Sequence, residues 1–167
     1  DRVAFVFMAM TALHYSFIIP VYNRPEELQE LLESMSKLQF DHLFEVVVVE
    51  DGSTESSEHL VRQFGKSLNL SYFVKANSGP GDSRNYGMLR AKGNYYIILD
   101  SDCVLPEHYL KEVDEELISA YVDFFGGPDA AHPSFSVIQK AINFTMTSFF
   151  TTGGIRGGSK QVQRFQP

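Results

Sequence analysis

The chain has 167 residues, 44% of them hydrophobic, 21% charged and 13% aromatic, which suits one folded domain with a real core and excludes a disordered segment. A formal net charge of −7 disfavours a nucleic-acid binder, which presents a basic face. The single cysteine, Cys103, excludes an intrachain disulfide and a cysteine-based structural zinc site, and fits a reducing, cytoplasmic compartment.

Residues 1–13 read as an N-terminal extension. The apolar run Val3 to Leu13 is too short to cross a bilayer and carries no small-residue cleavage site. It is expected to lie outside the fold proper. An interfacial segment is the alternative, which leaves peripheral attachment to the cytoplasmic face of a membrane open.

From His14 to residue 150, strands and helices alternate. Tyr15 to Ile19 predicts a first strand, closed by Pro20. Asn23 is a candidate helix cap, with Pro25 in the first turn and Glu26 and Glu27 favourable to the helix dipole. Leu28, Leu31, Leu32 and Met35 recur at helical spacing and should face the sheet. Phe44 to Val49, ending in four consecutive valines, is the best candidate for a central parallel strand. A short helix is expected over Glu55 to Gly65, with Leu60, Val61 and Phe64 inward, then a third strand over Leu70 to Val74.

The turn-rich stretch Asn77 to Asn85 leads into a helix ending near Lys92-Gly93. Tyr96 to Leu99 then reads as a fourth strand covered on both faces. Pro106 opens a helix to about Ser119, Tyr121 to Phe125 predicts a fifth strand, and Ser136 to Phe150 a further helix. Residues 151–167 form a Gly-rich, basic tail. Such alternation predicts an α/β three-layer sandwich around a mostly parallel sheet.

Three predicted strands end in polar clusters: Pro20-Val-Tyr-Asn23, Glu50-Asp-Gly-Ser53 and Asp100-Ser-Asp102. In a parallel sheet these ends share one edge, where α/β proteins bind ligands. Asp100 and Asp102 would repel each other unless a cation offsets the repulsion, and their oxygens suit Mg²⁺ or Mn²⁺, which in turn holds phosphates. Ser101 is then a spacer. Asp51 is a candidate acceptor for the N3–H of a pyrimidine, and Tyr22 a candidate platform for the base. Gly52 permits a sharp turn after the strand. The plainer account of Glu-Asp-Gly-Ser is an ordinary turn and helix cap.

The loop Ser78 to Asn85 resembles an anion-binding turn at a helix start, but has neither the dinucleotide glycine fingerprint nor a P-loop lysine. Arg84 is expected to pair with phosphate, with Asp82 or with an acid of the next strand. Asp129, in the Gly-Gly-Pro-Asp loop, is a candidate for sugar hydroxyls, against an ordinary strand-to-helix turn.

Taken together, Phe17-Ile-Ile-Pro-Val-Tyr-Asn-Arg-Pro, Val47-Val-Val-Glu-Asp-Gly-Ser, Ser83-Arg-Asn-Tyr-Gly and Tyr96-Ile-Ile-Leu-Asp-Ser-Asp resemble glycosyltransferase family 2, inverting enzymes with the GT-A fold. The resemblance runs from about residue 14 to 128. It implies that Pro20, Tyr22 and Asp51 hold the donor nucleoside, and that Asp100 and Asp102 form the metal and diphosphate motif, with Asp102 the direct ligand. Glu50 stands where many members have Asp and is assigned no role. The implied donor is a nucleotide sugar, most often UDP-linked, the acceptor a saccharide or lipid-linked saccharide, and the cofactor a divalent metal.

The family's general base is an acid in the acceptor-binding half, and nothing after Phe150 offers that motif. The chain is therefore expected to be the donor-binding portion of a longer enzyme, with residues 14–150 as the nucleotide-sugar domain and the base beyond Pro167. The competing expectation is a non-catalytic sugar-nucleotide-binding module. A nucleotidyltransferase would carry a Gly-rich loop after strand one, where Tyr-Asn-Arg-Pro stands, and an aspartate-based phosphotransferase would place Asp-x-Asp after the first strand rather than the fourth.

Overall fold

A computed structural model of the chain describes residues 12–126. Most of the N-terminal extension, the expected helix over 136–150, Asp129 and the tail lie outside the described residues. The chain divides into two compact units, residues 1–115 and 116–167. The sheet and every candidate site residue described below belong to the first.

Four parallel strands form the sheet in the order β3-β2-β1-β4: β1 (Tyr15–Val21), β2 (Glu45–Asp51), β3 (Leu70–Lys75) and β4 (Tyr95–Ile98). The helices are α1 (Pro25–Met35), α2 (Glu58–Phe64), α3 (Pro80–Met88) and α4 (Tyr109–Ser119). The chain steps outward from β1 through β2 to β3, then returns past β1 to β4. Right-handed crossovers therefore put α1 and α2 on one face and α3 on the other, the expected three layers. Among the described residues no helix is long and apolar enough to cross a membrane.

The core follows from the residue pattern. Leu28, Leu31, Leu32 and Met35 of α1 are fully buried, as their spacing predicted. So are the four valines of β2, the strand predicted to be central. Each such aliphatic side chain contributes about 1.5–3 kcal/mol by leaving water. On the α3 face, Ile18, Val47 and Val49 pack with Phe73, Tyr86, Met88 and Ala91. Gly87 makes that packing close: a Cβ there would stand 2.7 Å from Ile18 Cγ2 and 3.2 Å from Val49 Cγ2.

Four expectations are corrected. β1 does not stop at Pro20 but runs through it to Val21, with Pro20 opposite Val49. The carbonyl of Ile18 accepts from Leu99 N, so the backbone polar groups of residues 18 and 20 point towards β4. The β4 ladder ends at Ile18↔Ile98, so the N–H that proline lacks falls where no strand partner remains. β4 is not covered on both faces: Tyr95 and Ile97 are buried, whereas Tyr96 and Ile98 are about 40–45% exposed because β4 is the outer described strand.

Residues 121–126 hold no strand; Tyr121 and Phe124 are exposed, so the run buries too little surface to fix one. Finally, α3 ends at Met88 instead of reaching Lys92-Gly93, where Arg90 N turns back three residues to the Gly87 carbonyl in the tighter bonding of a helix end.

Candidate active site

The order 3-2-1-4 places a topological switch point between β1 and β4, where the connections leave in opposite directions and a crevice opens beyond the strand ends. Asp100 and Asp102 follow directly on β4. Leu99 N donates to the Ile18 carbonyl at 3.1 Å, extending the β4 path, and Cys103 N reaches back to the Asp100 carbonyl at 3.3 Å to close a turn. Ser101 is buried, as a spacer should be, while the flanking acids are exposed.

Each acid meets one arginine. Arg84 Nη2, from α3, donates to Asp100 Oδ1 at 2.5 Å, and Arg24 Nη1, from the residue before α1, donates to Asp102 Oδ2 at 3.3 Å. Two carboxylates and two guanidinium groups thus converge from both sides of the crevice. The pocket lined by Phe40, His42, Lys111 and Asp114 has nothing to do with them: Asp114 bonds Tyr15 at the amino end of β1.

Asp51, the last residue of β2, is almost completely buried and well paired. Its Oδ1 accepts from Lys75 Nζ at 2.6 Å and Ser78 N at 3.0 Å, and its Oδ2 from Gly79 N at 2.8 Å. Burial pushes this carboxyl up, but the Lys75 ammonium, the two N–H groups and Ser83 outweigh it and hold it below the usual 3.8. Asp51 in turn raises the Lys75 ammonium above 10.5. Lys75 also bonds Ser78 Oγ and Ser83 Oγ and lies 3.2 Å from Asp82 Oδ2. The Ser78–Gly79 turn is therefore an anion site, as its sequence suggested, and the anion held there is the chain's own Asp51.

Asn23 does not cap α1. Its backbone is left-handed at φ 52, and its Oδ1 accepts from Thr54 N at 2.7 Å, Glu55 N at 3.1 Å and Thr54 Oγ1 at 3.0 Å. Asn23 N donates to Ser53 Oγ at 2.8 Å, and that hydroxyl donates to Glu50. Asn is among the few residues that tolerate this backbone region, so the side chain ties the β1 end to the β2 end instead.

Gly52 turns as expected, at φ 70, with Asn77 N 2.6 Å from where a Cβ would sit. Glu50, left without a role by the sequence, is buried and accepts from Ser57 N and Tyr72 Oη, both at 2.8 Å. Burial and then Glu50 push the Tyr72 hydroxyl up to about 12, only partly countered by Ser56. Tyr22 is half exposed at the β1 end, free to meet a flat ligand, whereas Pro20 is enclosed within β1.

The structure thus gathers Arg84, Asp100 and Asp102 at the switch point, with Tyr22 at the end of neighbouring β1 and Asp51 one strand further on. Sequence reasoning missed Arg24, Lys75 and the clamping role of Asn23. For Lys75 a signal existed: it closes β3 as Asp51 closes β2, and such ends pair in a parallel sheet.

Among the described residues no group of three or more His, Cys, Asp or Glu side chains gathers to cage a metal. Two exposed carboxylates still fit Mg²⁺ or Mn²⁺, since such ions commonly take one or two carboxylates and fill the remaining positions with water and substrate phosphate.

A doubly wound parallel sheet with its acids and arginines at the switch point defines an α/β protein of the GT-A type. The chain belongs to glycosyltransferase family 2: the profile described as "Glycosyl transferase family 2" matches residues 16–164. It is 34% identical over 114 residues to the poly(ribitol-phosphate) beta-N-acetylglucosaminyltransferase TarS of Staphylococcus aureus, covering 66% of this chain and 19% of that protein. It is 41% identical over 87 residues to an uncharacterized glycosyltransferase of Rickettsia bellii, covering 52% of this chain and 12% of that one.

The crystal structure of S. aureus TarS 1-349 in complex with UDP superposes with a TM-score of 0.68 at 30% identity, over 75% of this chain and 38% of that one. The same fragment in complex with UDP-GlcNAc also gives 0.68. The chain therefore spans less than two fifths of these solved relatives and a fifth or less of the full-length ones.

Proposed function

We propose that this chain is the donor-binding part of a glycosyltransferase that moves a sugar from a nucleoside-diphosphate donor, UDP-linked, to an acceptor hydroxyl with inversion at the anomeric carbon. The acceptor is a saccharide or lipid-linked saccharide, in polysaccharide or glycolipid synthesis on the cytoplasmic side. The observation that carries this is the convergence of Asp100, Asp102, Arg84 and Arg24 beyond the ends of β1 and β4. Support for the UDP donor comes from the TarS fragment in complex with UDP and with UDP-GlcNAc. Support for a metal comes from the two carboxylates and from the mannosyltransferase PcManGT of Pyrobaculum calidifontis, solved with GDP-Man and Mn2+, a 25% identical neighbour with a TM-score of 0.52.

In this arrangement Tyr22 packs on the base, and Asp51 takes the N3–H of uracil. Asp51 is closed over by Ser78 and Gly79, so that contact requires the turn to give way. Asp100 and Asp102 would hold Mg²⁺ or Mn²⁺, with Asp102 the direct ligand; the cation offsets charge growing on the departing diphosphate. Arg84, held by Asp100, donates to the phosphates with its planar fork. Asp129 is assigned to the sugar hydroxyls by its place in the sequence alone.

Calorimetric titration of UDP and GDP, each with Mn²⁺, with Mg²⁺ and with chelator, tests the proposal. UDP should bind more tightly than GDP and more tightly with metal, and Asp102→Ala should abolish the metal-dependent part. Equal UDP affinity with and without metal would remove the role given to the two acids.

A second reading is a sugar-nucleotide-binding module that does not complete transfer. Sugar transfer to a simple acceptor by this chain would exclude it.

A further inference from the structure

We infer that Arg24 is a built-in counter-ion of the metal site: it holds Asp102 until a nucleoside diphosphate draws it away, and so makes cation binding depend on the nucleotide. This rests on the donor-site reading above and goes beyond it, since that reading places Arg24 beside the acids but gives it no role toward metal or nucleotide.

The placement of Arg24 is unusual for a structural residue. It stands at the N-cap of α1, where the helix dipole disfavours a cation, and its side chain makes no capping hydrogen bond. Arg24 reaches instead across the switch point to Asp102, 78 residues further along the chain. Its second carboxylate, Glu27 Oε1, lies 3.8 Å from the same Nη1. Glu27 thus keeps the guanidinium near the crevice when Asp102 is engaged elsewhere. Both ion-paired side chains are about half exposed, so either partner can be exchanged without opening the core.

The competition follows from charge. A dication at Asp102 takes the oxygen that Arg24 now contacts and repels the guanidinium beside it. Without a diphosphate the arginine falls back, among the described residues, on Glu27, and cation binding is opposed. With a diphosphate present, the planar fork finds phosphate oxygens, and the opposition becomes an attraction. Arg24 is a positioning residue in this scheme and touches the donor only once the exchange has occurred.

The test measures Mn²⁺ affinity of the full chain by electron paramagnetic resonance, with and without UDP, and UDP affinity in chelator by calorimetry. It compares the wild type with Arg24→Ala and Arg24→Lys. Arg24→Ala should tighten nucleotide-free Mn²⁺ binding about threefold, the scale of an exposed ion pair, and weaken UDP binding in chelator by a similar factor. Arg24→Lys, which keeps the charge, should leave Mn²⁺ binding near the wild-type level.

Opposite signs for metal and nucleotide cannot come from a merely destabilised loop, which would weaken both. Unchanged or weakened Mn²⁺ binding in Arg24→Ala would overturn the inference while leaving the donor site intact. A wild-type chain that binds no Mn²⁺ even with UDP would overturn the donor-site reading and this inference with it.

Discussion

Lys75 Nζ and Asp51 Oδ1 meet at 2.6 Å because the two residues are register partners at the carboxyl ends of neighbouring parallel strands. The pair stands in a nearly closed spot, and the Ser78–Gly79 turn folds over it. The same bond therefore joins the sheet edge to the start of α3, the helix that delivers Arg84 to Asp100.

The sign of its pH dependence follows from the two shifts. Asp51 is lowered on folding, so its contribution is complete above the ordinary 3.8 and is lost as pH falls through its lower folded value. Lys75 is raised, so its contribution is complete below 10.5 and is lost as pH rises through the higher folded value. Stability from this pair should be flat across the neutral range. Lys75→Met removes the cation that holds Asp51 low while burial still pushes it up, so the variant should be less stable at neutral pH and should lose less stability than the wild type on acidification. Thermal midpoints followed by circular dichroism from pH 3 to 7 check this; parallel curves for the two proteins would refute it.

Asn23→Ala should destabilise the chain by about 1–3 kcal/mol, because it removes the acceptor for Thr54 N and Glu55 N and forces alanine into a left-handed backbone. Asn23→Gly loses the same hydrogen bonds but not the backbone compatibility, and should recover about 1 kcal/mol of the difference. Urea unfolding of the two variants separates the contributions. Equal destabilisation would mean that the backbone angle costs alanine nothing.

Most of the fold was legible because its signals are local. The valine run of β2 and the leucine spacing of α1 each declare an element without reference to any other residue. The place of Asp-Ser-Asp just beyond a strand was legible for the same reason, since the apolar run that precedes it declares that strand. Asn23 was misread because the local rule, a polar residue ahead of a proline-started helix, competed with a long-range one. Its partners lie 31 and 32 residues away, in a turn whose position only the sheet register fixes. Arg24 was invisible on similar grounds: its reach to Asp102 depends on β1 and β4 being neighbours, which a right-handed return of the chain creates. The exposure of Tyr96 and Ile98 likewise depends on strand order, not on composition.

Gly87→Ala should destabilise the chain by about 1–3 kcal/mol, the scale of overpacking, despite the better helix propensity of alanine. The added methyl would meet Ile18 Cγ2 at 2.7 Å, and a β-branched strand residue has little rotamer freedom with which to yield. α3 must then lift from the sheet and carry Arg84 with it. UDP affinity should fall together with stability, whereas Gly81→Ala, where the new methyl meets nothing within 4 Å, should leave both near wild type. A stabilised Gly87→Ala protein in chemical denaturation would show that α3 is not seated as described.

Tyr22→Ala offers the cleanest separation of binding from folding. The side chain is 51% exposed and is not among the buried core residues, so stability should change by no more than about 0.5 kcal/mol. Stacking of a base on an aromatic ring contributes about 1–3 kcal/mol, so UDP should bind roughly 5- to 150-fold more weakly. Tyr22→Phe keeps the ring face and should keep most of the affinity. Pyrophosphate, which has no base, should bind all three proteins alike. If UDP and pyrophosphate lose affinity in equal measure in Tyr22→Ala, the residue shapes the phosphate end of the crevice, and the base must be held elsewhere.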